Sequence, residues 1–438
     1  MSASHFFSKD YYQARDRFIK TINELKDRGH KVSHDILSLD CKGPNQENLS
    51  IDIATIGSID NDNLLLYSSG IHGVEGFAGS AIQLSVLEQL KNEKPINDYC
   101  IVFIHIINPY GMAWHRRVNE NNVDLNRNFL NDHKGEPEGY EKINSFLNPK
   151  SIPSRFDLMY LPKGLSILLR YGFTNVKQWI AQGQYTRPRS LQFGGNKLQQ
   201  GPEKIVKWLK ENLTNTKNIF AIDLHTGLGP SGYDTILIQD DINHNNYSIL
   251  QRLFGSHVAE LNPTKGIGYR VTGDIHSGLA SFLSNINWLC ITQEFGTFGP
   301  TKVFKNLRAE NRWTHNNNLS DQVKVKNHWS RTNLLKTFNP KDSTWQNKLI
   351  EGNWHSKWMP SNTDYEKKED EKKVVAPEDK IKELEDKLTR AFAEMENQRR
   401  RYEREKDDAF EYGGFTFARE TLNLLDNLDR SKISLEND

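Results

Sequence analysis

The feature that most constrains the fold of this chain is a short apolar run that occurs four times and ends each time in polar or charged residues. The runs cover residues 64–68, 101–107, 219–222 and 288–292. Runs rich in Ile, Val and Leu with helical segments between them are typical of a parallel sheet covered on both faces. We therefore predict an α/β fold with a mostly parallel, mixed central sheet and helices on both faces. Ligands of such sheets bind outside the carboxyl ends of the strands.

Composition excludes several classes of function. The chain has 438 residues and a formal net charge of +1, which argues against a polyanion-binding surface and leads us to expect no nucleic-acid partner. No apolar run approaches the ~20 residues that cross a bilayer, and no secretion signal begins the chain. Two of the three cysteines lie in apolar runs, as in proteins of a reducing compartment. We expect a cytoplasmic protein without membrane contact.

Changes in composition indicate three parts. Residues 1–360 carry the apolar runs and form the predicted sheet domain, with an irregular insertion at 135–201 that caps or flanks the site. Residues 361–379 are densely charged and are interpreted as a flexible linker. Residues 380–438 carry an apolar residue every seventh position, which predicts a long helix or coiled coil. The positions of this repeat are Ile381, Leu388, Met395, Tyr402 and Ala409.

Candidate metal ligands follow the first and third runs. His72 and Glu75 stand three residues apart after the run at 64–68; by itself, this pair is better explained by a surface histidine and a helix-capping glutamate. His225 follows the run at 219–222 and would complete a His, Glu, His set with an open position for water, as in catalytic zinc sites. We expect one Zn²⁺ per chain. Glu294, after the fourth run, is the candidate general base, because desolvation there would raise its pKa.

The segment at 108–129 supplies candidate substrate-binding groups. Its arginines provide fixed positive charge suited to carboxylates and developing oxyanions. Asn126 and Arg127 together are candidates for holding the terminal carboxylate of a substrate. Asp124 is a candidate acceptor for a hydrogen bond from a metal-bound histidine.

The order of these motifs resembles the zinc carboxypeptidase superfamily, specifically its bacterial carboxypeptidase-like branch of unknown function. The resemblance covers about residues 10–330. It implies zinc ligands, a general base, an oxyanion-stabilising arginine and a group that orients the first histidine ligand. It also implies a loop tyrosine, for which Tyr269 is the nearest match. The implied zinc ligands are His72, Glu75 and His225, and the implied general base is Glu294. The implied oxyanion-stabilising arginine is Arg117, preferred to Arg116 because it precedes Asp124 by seven residues. Asp124 is the implied group that orients the first histidine ligand.

The activity that this resemblance implies is hydrolysis of a C-terminal peptide bond, or of an amide next to a free carboxylate. Succinylglutamate desuccinylase and aspartoacylase share the metal and the fold that the resemblance implies. An N-acyl amino acid therefore remains an alternative substrate to a peptide.

The C-terminal segment resembles the N-terminal helical part of GrpE, the nucleotide exchange factor of the DnaK-type chaperone. The similar stretches are residues 386–406 and 417–429. The resemblance implies a homodimer through the paired helix and a DnaK-type chaperone as partner, which would make the chain a chaperone-system or dimerisation module. A join between two unrelated reading frames would give the same pattern.

Overall fold

The computed structural model of the protein describes residues 2–96, 99–238, 244–260 and 270–351. Within these ranges eight strands form one sheet. In chain order they are β1 (Val32–Lys42), β2 (Asn48–Gly57), β3 (Asn63–Ser69), β4 (Cys100–His105), β5 (Asn218–Gly227), β6 (Asp234–Ile238), β7 (Val258–Glu260) and β8 (Asn287–Gly296). The predicted coiled coil at 380–438 and the linker before it lie outside the described residues.

Thirteen α-helices accompany the sheet in the same part of the chain. They are α1 (Tyr11–Asp27), α2 (Gly76–Leu90), α3 (Pro109–Trp114), α4 (Tyr140–Leu147), α5 (Tyr160–Tyr171), α6 (Phe173–Ala181), α7 (Gln200–Asn212), α8 (His244–Phe254), α9 (Ile275–Phe282), α10 (Pro300–Asn316), α11 (Gln322–Lys326), α12 (Trp329–Phe338) and α13 (Ser343–Glu351). None of the helices in the described ranges combines the length and the apolar content that a bilayer crossing needs.

The strand order is β1-β2-β4-β3-β5-β8-β6-β7. The four central strands β4, β3, β5 and β8 are all parallel to one another, and they contain the four apolar runs of the sequence. Antiparallel pairs join β1 to β2, β2 to β4 and β6 to β8. The prediction of a mostly parallel, mixed sheet is confirmed, and the carboxyl ends of the four central strands meet at one edge.

Helices cover both faces of the sheet, as predicted. Val102 of β4 points to one face, where it belongs to the same buried cluster as Ile205 of α7. The neighbouring His105 points to the other face, where its ring stacks on Phe18 of α1 at 4.2 Å and its Nε2 lies 3.0 Å from the Ser80 hydroxyl of α2. This alternation is the period-two pattern of a strand buried on both sides.

The insertion at 135–201 contains α4, α5 and α6. Gly172, at φ +78°, separates α5 from α6, so this stretch of the insertion is two helices and not one. A left-handed conformation of this kind is accessible to glycine at little cost.

Candidate metal centre and active site

A tight turn after β3 presents the first two candidate ligands. Gly70 has φ +67°, and a Cβ there would lie 3.1 Å from the Ile106 backbone, so the position requires glycine. His72 then precedes a single 3₁₀ turn, Gly73–Glu75, that leads directly into α2. The turn places the histidine and the glutamate on the same side at the carboxyl edge of the sheet.

The third candidate ligand, His225, belongs to the neighbouring strand β5, and the structure brings all three residues together. Their ligand atoms lie within 4.8 Å of one another and all three side chains are buried. His72 Nδ1 is 2.9 Å from Glu75 Oε1, and His225 Nδ1 is 3.2 Å from Glu75 Oε2. Two nitrogens and a carboxylate thus face one point, as expected of the protein ligands of a catalytic zinc ion.

Each histidine is oriented by a carboxylate on its other nitrogen. His72 Nε2 lies 3.1 Å from Asp124 Oδ1, and His225 Nε2 lies 2.6 Å from Asp223 Oδ2. A proton on Nε2 leaves the lone pair of Nδ1 for a cation. The Ser68 hydroxyl donates to Asp223 at 2.6 Å and so fixes that carboxylate in turn. Asp223 was missed in the sequence analysis, although it stands two residues before His225 and therefore on the same face of the strand.

The donor set fits a divalent cation. His72 Nδ1 is buried and has no hydrogen-bond partner among the residues that the structure describes, although it lies close to Glu75. Four buried carboxylates, those of Glu75, Asp124, Asp223 and Glu294, surround the two imidazoles. A buried lone pair that faces a carboxylate and an excess of negative charge are both unfavourable unless a cation is bound.

The pKa values of the ligands follow from the close packing of these charged groups. Burial would raise the pKa of Glu75, but the two histidines outweigh it and the pKa is lowered. Burial would lower the pKa of His225, but Asp223 and Glu75 outweigh it and the pKa is raised well above its ordinary value. A cation must therefore displace a proton from His225, which makes binding pH-dependent.

Glu294 lies beside His225 on the adjacent parallel strand, because the two residues are paired in the register of β5 and β8. Its Oε1 accepts a hydrogen bond from the Leu228 backbone N–H at 2.8 Å. Burial raises the pKa of this carboxyl to about 7, and the nearby Glu75 adds to the effect while His225 opposes it. The raised pKa agrees with the desolvation expected from the sequence and suits a general base near neutral pH.

Arg117 and its neighbour Arg116 point to different places. Arg117 forms an ion pair with Asp124, donates to Gln192 Oε1 at 3.1 Å and has its Nε 3.9 Å from Glu75. Arg116 instead pairs with Glu310 at 2.8 Å. Arg117 is therefore the arginine that faces the ligand set. Gln192, which has φ +58°, comes from the insertion and gave no signal in the sequence.

Asn126 and Arg127 follow Asp124 on a 3₁₀ turn, Leu125–Arg127. The Asn126 side-chain oxygen accepts from the Ile275 backbone N–H at 3.0 Å. The Arg127 guanidinium is buried and donates to the Ala181 carbonyl from two nitrogens and to the Asn126 carbonyl from a third. In the structure Arg127 thus fastens the insertion to this segment, and its role with a substrate carboxylate stays a prediction. Tyr269 lies outside the described residues.

The C-terminal part of the chain is similar to GrpE. A family model described as GrpE matches residues 359–437. The protein GrpE of Parvibaculum lavamentivorans is 48% identical over 65 residues, which cover 15% of this chain and 30% of that protein. The chain thus spans about a third of the length of this curated relative. The resemblance of the tail to GrpE is confirmed at this level.

Solved structures similar to the chain share little sequence with it. Carboxypeptidase A from Helicoverpa armigera has 14% identity and a TM-score of 0.40, with 74% of this chain and 73% of that chain covered. A succinylglutamate desuccinylase from Silicibacter sp. TM1040 has 12% identity and a TM-score of 0.32, with 64% of each chain covered.

A second family model, described as "Protein of unknown function (DUF2817)", matches residues 7–352, which include the whole sheet and every candidate ligand. The chain therefore belongs to this family.

Proposed function

We propose that this chain is a zinc-dependent hydrolase that cleaves a peptide or amide bond next to a free carboxylate. The observation that carries the proposal is the convergence of His72, Glu75 and His225 within 4.8 Å, with Glu294 on the adjoining strand. The orphaned Nδ1 of His72 supports a metal at this point. The motif order that resembles the zinc carboxypeptidases supports zinc in particular.

When bound by these three ligands, zinc would supply Lewis acidity, polarising a carbonyl and lowering the pKa of a water molecule toward ~7. The residues of the chain have the complementary tasks. Glu294 Oε1 is held by the Leu228 N–H, so Oε2 is the atom that accepts the proton of the attacking water. The same oxygen then delivers that proton to the leaving amine, which is the usual dual role of such a base.

Arg117 is the proposed oxyanion-stabilising group. Its guanidinium lies beside Glu75 and is oriented by Asp124 and Gln192. A preoriented positive charge of this kind stabilises the negative charge that develops on the carbonyl oxygen. Asn126, which is half-buried, is the proposed contact for the terminal carboxylate of the substrate, together with Arg127 and with Tyr269 as a further candidate.

The substrate is proposed to be a peptide with a free C-terminus or an N-acyl amino acid. Both present a carboxylate one residue away from the scissile bond. Matched substrates with an amidated C-terminus would lack the negative charge that Asn126 and Arg127 are proposed to recognise. We expect amidation to reduce kcat/KM by roughly 100-fold, because a site built around a charged partner rejects analogues that lack it.

The deciding experiment uses the purified full-length chain. We expect one zinc per chain by mass spectrometry and hydrolysis within a panel of C-terminal peptides and N-acyl amino acids. Glu294→Gln should keep the zinc and lose ~10²–10⁴-fold in kcat. Glu203→Gln, at an exposed position of α7, is the matched control and should leave both unchanged. A chain that binds no zinc, or a Glu294→Gln variant with full activity, contradicts the proposal.

A second candidate function, which the GrpE match favours, is dimerisation through the tail and association with a DnaK-type chaperone. The apolar heptad positions of the tail are the proposed contact. Leu388→Asp with Met395→Asp in the full chain should then halve the particle mass in light scattering. An unchanged mass argues against a dimer through this segment, and absence of the chaperone in a pull-down with the full chain argues against that partner.

A further inference from the structure

The insertion exposes a continuous stretch of large apolar side chains. We call Phe156, Leu158, Leu161, Leu165, Leu169 and Phe173 the apolar patch, and each of them is between 53 and 83% exposed. Three of them, Leu161, Leu165 and Leu169, lie in α5 at helical spacing, and Leu158 lies two positions before the helix begins. Exposed apolar groups that are scattered singly are normal, whereas a contiguous set on one helix marks a binding surface.

The patch is additional to the side of α5 that the protein already buries. Tyr160, Ile167 and Tyr171 lie on that inner side, where they pack in or against the core formed by α4, α6 and the start of α10. The apolar patch lies on a different side of the same helix. A helix that is apolar on two sides usually has both sides covered, so the second side calls for a partner.

The charge of the segment that carries the patch is strongly one-sided. Residues 150–177 contain five basic residues and one acidic residue. The acidic residue, Asp157, is already paired with Arg308 at 2.6 Å and Arg312 at 2.9 Å, so it does not offset the basic side chains. Lys163 and Arg170 are exposed on α5 itself, within about one Debye length of the patch. The five basic residues are Lys150, Arg155, Lys163, Arg170 and Lys177.

We propose that the apolar patch and its basic surroundings bind the surface of an anionic lipid bilayer, with α5 lying in the plane of the interface. Leucine and phenylalanine on one side and Lys or Arg on another is the composition of interfacial helices, and anionic headgroups supply the complementary charge. The expectation of no membrane contact rested on the absence of a segment that could cross a bilayer. Binding to the surface of a bilayer does not need such a segment.

A second copy of the chain fits the same surface less well. Homodimers are usually two-fold symmetric, so the same patch would face itself. The basic residues around one patch would then oppose those around the other, and like charges across an interface are unfavourable. A lipid surface offers apolar burial without this repulsion.

The test measures co-sedimentation of the full-length chain with vesicles of phosphatidylglycerol and phosphatidylcholine in equal parts, and with vesicles of phosphatidylcholine. We expect binding to the anionic vesicles that weakens with salt. The variant Leu161→Ser, Leu165→Ser, Leu169→Ser should bind them more than about tenfold less, because three buried side chains are lost from the interface. All three residues are exposed, so circular dichroism should remain that of the native chain.

The matched control is Ile36→Ser, Leu319→Ser, Val323→Ser, which removes three apolar side chains of similar exposure elsewhere and should bind as the native chain does. Lys163→Gln with Arg170→Gln should reduce binding to anionic vesicles. Failure of the native chain to bind anionic vesicles overturns the proposal, as does equal binding by the leucine variant and its control. A leucine variant whose only change is a smaller particle mass in light scattering would assign the patch to a second copy.

Discussion

Arg116 and Arg117 are adjacent in the sequence but belong to two different buried clusters of charge. The metal-site cluster contains the three candidate ligands His72, Glu75 and His225. Arg117, Asp124, Asp223 and Glu294 also belong to it. The Glu310 cluster consists of Glu310 with Arg116 and Arg331, whose Nε atoms lie 2.8 and 3.5 Å from the same carboxylate oxygen. Both clusters are almost inaccessible to solvent, but they differ in how their charges and polar atoms are satisfied.

The hydrogen bonds of the Glu310 cluster come largely from the chain itself, although Arg331 Nε, 3.5 Å from Glu310, is a buried atom without a hydrogen-bond partner in the described part of the chain. Asn122 accepts a hydrogen bond from Arg116, the Thr314 hydroxyl donates to Glu310, and Arg331 donates to Thr314. The metal-site cluster holds four carboxylates and two arginines, Arg117 and, at longer range, Arg127, so two negative charges remain when both histidines are neutral and all four carboxyl groups are ionised. The difference teaches that burial of charge alone does not mark a functional site. The mark of the metal-site cluster is an excess of negative charge around two imidazoles and a carboxylate, the ligand types that bind a divalent cation. The Glu310 cluster has two arginines for one carboxylate and carries no such excess.

Removal of metal should produce the largest difference between the clusters. Dialysis of the full chain against a zinc chelator is expected to abolish hydrolysis. It should also lower the unfolding free energy by ~2.7 kcal/mol relative to a sample whose free zinc is about 100 times the dissociation constant. The Glu310 cluster needs no cation, so an Arg116→Met variant should show the same zinc-dependent increment. Unfolding curves with and without zinc would measure this, and curves that coincide would contradict a metal site.

Separate substitutions of Arg117 and Arg116 should give the next largest effect. Arg117→Met should lower kcat by ~10²–10³-fold, because a group that stabilises developing charge is lost. Arg116→Met should instead cost ~3 kcal/mol of stability, because it weakens the pairing of a buried carboxylate, with kcat of the folded fraction nearly unchanged. Steady-state kinetics and urea unfolding on both variants provide the measurement. The comparison fails if both variants lose mainly the same property.

Asp223→Asn tests the orientation of His225. We expect the affinity for zinc to fall by ~10–100-fold, since the amide no longer fixes the protonation of Nε2. Asp321→Asn is the matched control, because Asp321 caps α11 at the surface and contacts no ligand. Competition with a chelator of known affinity measures the change. Equal zinc affinity in the two variants would remove the orienting role of Asp223.

The smallest expected effect is a difference in pH dependence. Burial raises the pKa of Glu294 to about 7, and the positive charge of a bound cation lowers it, so the acidic limb of kcat/KM should lie between about 4.3 and about 7. Below the limb, activity should fall about tenfold per pH unit, because the base works deprotonated. A limb that persists unchanged in Glu294→Gln would exclude this assignment.

Glu310 should behave in the opposite way over the same range. Burial would raise its pKa, but Arg116 and Arg331 outweigh burial and the pKa is lowered. Its stabilising contribution is therefore complete above the unfolded-state pKa of ~4.3 and is lost only as the pH falls through the lower folded-state value. Unfolding midpoints of the native chain and of Glu310→Gln should differ by a constant amount from about pH 5 to about pH 8.

The part of the site that sequence could predict is the part carried by the sheet. His225 and Glu294 follow apolar runs long enough to be recognised as strands, and His72 and Glu75 follow a third. Parallel strands bring such ends to one edge whatever the connections contain. Asp223 was within reach of the same reasoning, because a residue two positions before a ligand shares its face of the strand.

The remainder depends on contacts that have no local signal. Gln192 reaches Arg117 from an insertion whose path is set by long-range packing. Arg127 has the residue type of a carboxylate clamp, yet its guanidinium donates to the Ala181 carbonyl. Propensity and periodicity describe single segments, so they do not indicate which carbonyl of a distant loop a guanidinium will meet.

The one-to-one register between β5 and β8 limits how such a chain can change in length. His225 and Glu294 are side-by-side neighbours in that register, at a strand spacing of about 4.8 Å. Insertion of a single residue within either strand would turn the following side chains to the opposite face of the sheet. It would separate the base from the ligand while leaving every apolar run intact. Length variation is therefore compatible with the proposed chemistry in the connections that precede these strands, whereas within them even one added residue dismantles the centre.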